Sequence, residues 1–109
     1  MEKKFILCPA RHDHQEIAGL PAIFPQEIAE ITDIAGMTRT AREAIADCDG
    51  IDLYVTGLTV AVGAVIRACY TSMKALTLWH YDRAKDAYFP QVIMTAEDVG
   101  LMREGGWYW

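Results

Sequence analysis

The sequence predicts an α/β protein built on a mostly parallel sheet that ends in an antiparallel hairpin, and three observations carry that expectation. Short apolar runs without alternation, FILC at residues 5–8 and LYV at 53–55, have the pattern of strands covered on both faces. Helix-patterned segments lie between these runs, so the chain reads strand, helix, strand, helix, strand, the order of a parallel sheet with right-handed crossovers. Two extended runs at 75–81 and 88–94 are joined by the polar link DRAKDA, which is short enough for a hairpin.

Each element has its own signal. The first strand, 5–8, is halted by Pro9, and a polar loop, ARHDHQ, follows at 10–15. Pro25 suits the first turn of a helix that carries Ile28, Ile31 and Ala35 on one side and stops at Gly36. Thr38 is the expected N-cap of the next helix, in which Ala41, Ala44, Ile45 and Cys48 recur at i, i+3, i+4 and i+7, with Asp49-Gly50 as a left-handed stop.

The second strand, 53–55, leads into a helix capped by Thr59 and running to about Thr71. Its apolar positions Val60, Val62, Val65, Ile66 and Cys69 leave only a narrow stripe of Gly63, Arg67 and Tyr70, so it must be covered on most sides. Strand 75–81 alternates: Leu76, Leu78 and His80 share one face, and Thr77, Trp79 and Tyr81 the other. Thr95-Ala96-Glu97-Asp98 forms a capping box for a last helix with Val99 and Met102 inward, ended by Gly105-Gly106. Together these elements predict a single domain over 1–109, a small Rossmann-like three-layer sandwich.

Composition narrows the function classes. The 109 residues are 52% apolar and 23% charged, within the range of one folded domain. A chain of this size buries only roughly 60–65% of its unfolded surface, so pairing with a second copy, as a homodimer, is expected to add stability. The net charge of −5 argues against a protein that coats duplex nucleic acid, but an anionic small ligand held by a helix end and an arginine remains compatible with it. Cys8, Cys48 and Cys69 show no CxxC spacing and predict neither a disulfide framework nor a zinc knuckle, which fits the reducing cytoplasm. The start, MEKKFILCP, is too short for a signal peptide, and no apolar run reaches the roughly 18 residues of a membrane span.

In a parallel α/β sheet, ligands sit beyond the carboxyl ends of the strands, which directs attention to the loops after Cys8, Val55 and Trp79. The turn Thr56-Gly57-Leu58-Thr59 has two readings. In one it is a phosphate seat, where Gly57 allows close backbone approach and the next helix points its first N–H groups at an anion. In the other it is a glycine corner with a threonine cap and no ligand. It lacks the lysine of a P-loop and the paired glycines of a dinucleotide fingerprint.

Arg11-His12-Asp13-His14 is either a solvated loop or a functional one, in which Arg11 forks onto a phosphate and a histidine shuttles a proton. His80, on an apolar strand face, is either a satisfied core histidine or a further ligand contact. Cys8, His12, His14, His80 and Asp82 have metal-donor chemistry, but a His-x-His without a matching pair does not define a zinc site, and no metal or cofactor is predicted. The aromatic residues Trp79, Tyr88 and Phe89 read as hairpin packing, whereas the terminal Trp107-Tyr108-Trp109 suggests a patch that docks on a partner subunit.

The apolar first strand leading to Arg11-His12, the LYVTGLT segment and the Leu-Thr-Leu of the next strand resemble the small single-domain proteins with the CRISPR-associated Rossmann fold (CARF), over roughly residues 4–80. That family includes stand-alone ring nucleases and phage proteins that counter nucleotide signalling. The resemblance implies a homodimer that presents these loops to a cyclic oligoadenylate, or a related cyclic nucleotide, lying across the two-fold axis in antiviral signalling. It implies that Thr56, Gly57, Leu58 and Thr59 hold phosphates, with His14 and His80 as further ligand contacts, and that Arg11 and His12 face the scissile linkage.

The chemistry implied is attack of a ribose 2′-hydroxyl on its adjacent phosphate, without a metal. Leu58 stands where a second glycine is common, and no lysine follows the threonine. Those departures bear on catalysis more than on binding, so an intact sponge for the ligand is the alternative to a ring nuclease. A third reading is an adaptor that acts through its aromatic tail.

Overall fold

The computed structural model describes residues 2–9, 15–25 and 27–105. Its elements are β1 (Glu2–Ile6), α1 (Ile34–Ala44), β2 (Gly50–Tyr54), α2 (Thr59–Thr71), β3 (Ala75–Asp82), β4 (Ala87–Met94) and α3 (Ala96–Arg103), with a 3-10 turn at Gln15–Ile17. The four strands form one sheet in the order β1-β2-β3-β4. β1 and β2 are parallel, as are β2 and β3, while β3 and β4 form the antiparallel hairpin. The α/β class, the mostly parallel sheet and the C-terminal hairpin therefore stand.

Among the described residues the helices form one layer. With strand order following chain order, both crossovers return over the same face of the sheet, and α1 and α2 accordingly pack on each other. Met37 and Ala41 of α1 and Ala61, Ala64, Val65, Ala68 and Cys69 of α2 join Phe5, Ile51, Leu53, Leu76 and Leu78 in one buried cluster. Met102 of α3 packs against it too. The opposite face carries a smaller cluster of Ile6, Ile17 and Tyr54, flanked by Leu20, Ala22, Trp79 and Tyr88. Among the described residues its cover is the 3-10 turn and the segment after it, not a helix.

The alternation expected along β3 holds: Leu76 and Leu78 face the helices, and Trp79 belongs to the opposite cluster. β1 starts earlier than its apolar run because Glu2 already pairs with Gly50, and Leu7 and Cys8 continue it as buried loop. Leu7 remains tied to the sheet through its N–H to the Tyr54 carbonyl at 3.0 Å. Along the outer side of β1, Ile6 donates to the Pro21 carbonyl at 2.9 Å and accepts from the Ile23 N–H at 3.0 Å, so this edge is partly covered.

Three local expectations give way to side-chain chemistry. Residues 27–33, where the helix expected from Pro25 would run, are not helical. The Glu30 carboxylate accepts the hydroxyl and N–H of Thr32, at 2.6 and 3.3 Å, which offers the backbone a local alternative to the helix. Asp33 caps α1 by accepting the Gly36 N–H at 3.0 Å. Gly36 therefore lies inside the helix, where a Cβ would collide with that carboxylate. Thr38 is not a cap but a buried residue of α1, whose hydroxyl donates to the Ile34 carbonyl at 2.9 Å.

Gly50 opens β2 instead of providing a left-handed stop; a Cβ there would come within 3.0 Å of the Ala75 Cβ. The Thr95–Asp98 capping box forms as expected, with both reciprocal hydrogen bonds near 3 Å. Gly105 follows α3 at φ 72°, the left-handed position expected of its stop.

β4, AYFPQVIM, is an outer strand with no charged residue, and Pro90 stands in it opposite Trp79. Proline has no N–H for a ladder, so its nitrogen must face away from β3. The hairpin also reaches past β2: Tyr54 pairs with Trp79, and His80, Tyr81 and Asp82 continue beyond it with β4 alone.

Candidate functional site: the carboxyl rim of the parallel strands

β1 and β2 end side by side, and their loops meet. The Thr56 hydroxyl donates to the Cys8 carbonyl and accepts the Cys8 N–H at 3.1 Å, tying two loops that lie 48 residues apart in the chain. Gly57 follows at φ 110°, a backbone conformation that disfavours any side chain, and a Cβ on it would lie 3.6 Å from the Cys8 Sγ. The corner expected at Gly57 is thus real, and it is seated against the loop that leads from β1 to Arg11.

The polar groups of the turn are arranged differently from the expectation. Thr56 spends its hydroxyl on Cys8 and so locks the corner instead of facing outward. Thr59 is the first residue of α2, not its cap; the N-cap is Leu58, which makes no side-chain cap hydrogen bond and is 42% exposed. The α2 amides close by backbone alone, Ala61 and Val62 donating to the Leu58 carbonyl at 3.1 and 3.3 Å. An uncapped helix start retains the partial positive charge that favours an anion. Because the strand order runs without reversal, the crevice that a reversal opens does not occur among these strands.

His80 lies on the helix side of β3, one residue beyond the Trp79 carbonyl that accepts the Val55 N–H at 2.9 Å. Its Nε2 is 2.7 Å from the Gln91 Oε1, and its ring packs 5.5 Å from that of Phe89, so its partners are cross-strand neighbours. Arg11, His12 and His14, like the aromatic tail at 107–109, lie outside the described residues. Among the described residues no group of three or more His, Cys, Asp or Glu side chains converges as a metal site. Among these residues, too, no helix is long and apolar enough to cross a membrane.

The three thiols are free and buried. Burial pushes Cys69 up to about 12, and it also raises Cys8 and, with help from the Asp47 charge, Cys48. None is poised as a thiolate nucleophile.

A second rim feature escaped the sequence reading. Gln15, Glu16, Tyr81, Asp86 and Tyr88 line a cleft of about 320 Å³ on the face away from the helices. Its floor joins a row of rings: Tyr54 stacks on Trp79 at 5.6 Å, Tyr88 meets Tyr54 edge-on at 5.1 Å, and Tyr81 lies 5.4 Å from Tyr88. The Asp86 carboxylate accepts the Tyr81 hydroxyl, and that bond holds the Tyr81 pKa above its usual value. Burial raises Tyr88 and Tyr54, and the Glu16 charge adds to both. The available signal was that Tyr81 and Tyr88 flank the hairpin link as a cross-strand pair, with a carboxylate two residues before Tyr88.

The fold and rim together define an α/β protein with one helical layer on a mixed four-stranded sheet. No protein-family model, no curated protein and no solved structure matches the chain.

Proposed function

We propose that this protein binds a phosphate-bearing small ligand, a cyclic oligonucleotide messenger of the oligoadenylate type, where the loops after β1 and β2 meet. The observation that carries this reading is the pair of hydrogen bonds from Thr56 to Cys8, which joins the two loops at Gly57 beside the start of α2, where the N-cap makes no side-chain hydrogen bond. A phosphate there meets helix amides and close backbone, and Arg11, three residues beyond Cys8, supplies the matching charge. The parallel β1-β2-β3 core, with a crossover helix before β2 and before β3, supports the Rossmann-like, CARF-like part of the reading.

In this reading the protein acts in the cytoplasm as a homodimer, with the ligand across its two-fold axis. His12 serves as proton donor or acceptor if the ring is opened by its own 2′-hydroxyl. The commitment of Thr56 to Cys8 leaves the phosphates to the backbone amides at the start of α2 and to Arg11.

Native mass spectrometry with cyclic di-, tri-, tetra- and hexa-adenylates tests the proposal, since it reads stoichiometry, subunit count and products together. A retained ring indicates a sponge and a linear product a ring nuclease. Arg11→Ala is expected to weaken binding, and His12→Ala to spare binding while abolishing any cleavage. Absence of both a bound ring and a product across the panel overturns the proposal.

A further inference from the structure

Where the hairpin reaches past β2, its helix side carries a pair of rings. By the alternation of β3, His80 stands on the side of Leu76 and Leu78, and its cross-strand partner is Phe89. Phe89 belongs to neither buried cluster and is 49% exposed. Its ring centroid lies 5.5 Å from that of His80, with the planes inclined at 36°. Gln91, the next residue of β4 on that side, fixes the His80 ring: an amide oxygen only accepts, so Nε2 donates to the Gln91 Oε1 at 2.7 Å. Phe89 is thus backed by a ring that is itself held, and about half of its surface stays open.

This pair stands next to the rim. The Val55 N–H donates to the Trp79 carbonyl at 2.9 Å, so the chain runs beside His80 as it leaves the sheet. Gly57 comes two residues after Val55, at most about 7 Å of extended chain, and α2 opens at Thr59. On the side of the hairpin link, Phe89 borders a cleft of about 400 Å³ lined also by Asp82, Lys85, Ala87 and Tyr88. Asp82 brings an acceptor to it and Lys85 a donor, the two functions that the edge of a nucleobase meets.

We propose that Phe89, backed by His80, is the surface on which a base of the bound nucleotide stacks while its phosphate lies at Gly57. The assignment rests on the rim reading above and adds to it the group that holds the base. Every base has a π face, so Phe89 supplies affinity, and Asp82 and Lys85 meet the polar edge.

The test is an NMR titration of the full chain, followed through the Phe89 and His80 ring signals and the Gly57 amide. The probes are cyclic tetra-adenylate, adenosine, which has the base without a phosphate, and ribose 5-phosphate, which has the phosphate without a base. Cyclic tetra-adenylate is expected to move all three signals, adenosine those of Phe89 and His80 alone, and ribose 5-phosphate that of Gly57 alone. Phe89→Ala, at an exposed position outside both clusters, is expected to weaken cyclic tetra-adenylate binding about tenfold, and Phe89→Tyr to keep it within about twofold. If cyclic tetra-adenylate moves the Gly57 amide alone, the rim stands and the stacking site is overturned. If adenosine moves Phe89 and His80 while no probe moves Gly57, the stacking site stands and the rim reading falls. The proposal also fails if no probe moves Phe89 or His80, or if Phe89→Ala binds as the unchanged protein does.

Discussion

The two faces of the sheet arise from the same strands, residue by alternate residue, and are treated in opposite ways. Leu53 and Tyr54 are neighbours in β2. Leu53 points into the cluster sealed by α1 and α2 and is 0% exposed, whereas Tyr54 stands at the floor of an aromatic row covered by one turn of chain. The helical face gives the molecule its stability through methyl and methylene burial. The other face buries the smaller cluster of Ile6, Ile17 and Tyr54 and is bordered by the aromatic side chains of Trp79 and Tyr88.

The sharpest way to break this contrast is to cut into each face in turn. Leu53→Ala is expected to cost about 3 kcal/mol, within the usual range for an enclosed leucine, and Tyr54→Leu clearly less; urea denaturation of both variants measures the gap. Equal losses would mean that the aromatic row is as much a core as the helical side. Next in size is the link between the rim loops. Thr56→Val removes both hydrogen bonds to Cys8 and leaves a partly buried amide and carbonyl unmatched, with an expected loss of about 1–3 kcal/mol in the same assay.

A smaller effect appears in alkali. Tyr54 and Tyr88 have folded-state pKa values raised above the ordinary 10.0, so below that pH they are neutral in both states and favour neither. As pH climbs past it, the unfolded chain ionises first, and stability is lost until the raised folded values are passed. A Tyr54→Phe, Tyr88→Phe double variant is expected to show a flatter decline of melting temperature above pH 10. Cys69, raised to about 12 from 9.0, adds a decline of the same sign that starts lower and belongs to the helical face, and Cys69→Ala separates the two. Smallest of all is Val92→Thr: at 57% exposure on the open face, it is expected to change stability by less than about 0.5 kcal/mol.

The sequence carried periodicity well and partnership poorly. The alternation of Leu76, Leu78 and Trp79 told which side of β3 would meet the helices, and the Thr95–Asp98 spacing told where α3 begins, because both signals are local. Thr56 and Thr59 looked interchangeable as hydroxyl donors. Only the fold decides that Thr56 turns back to Cys8 and that the helix starts without a side-chain cap. The segment at 25–36 misled for a related reason: Pro25 and Gly36 have the punctuation of a helix, but Asp33 reaches the Gly36 amide and sets the start at Ile34. Of the cleft walls, Tyr81, Asp86 and Tyr88 were legible as one hairpin, whereas Glu16 joins them only through the fold.

The proline of the outermost strand has a bearing on how the molecule survives at high concentration. An uncharged ribbon eight residues long, with no further strand beside it among the described residues, is an invitation to endless stacking of copies, and many proteins post a lysine or glutamate there as a guard. Pro90 does that job by denying an incoming chain one amide in the middle of the ribbon, so Pro90→Thr would turn a quiet border into a seed for fibres.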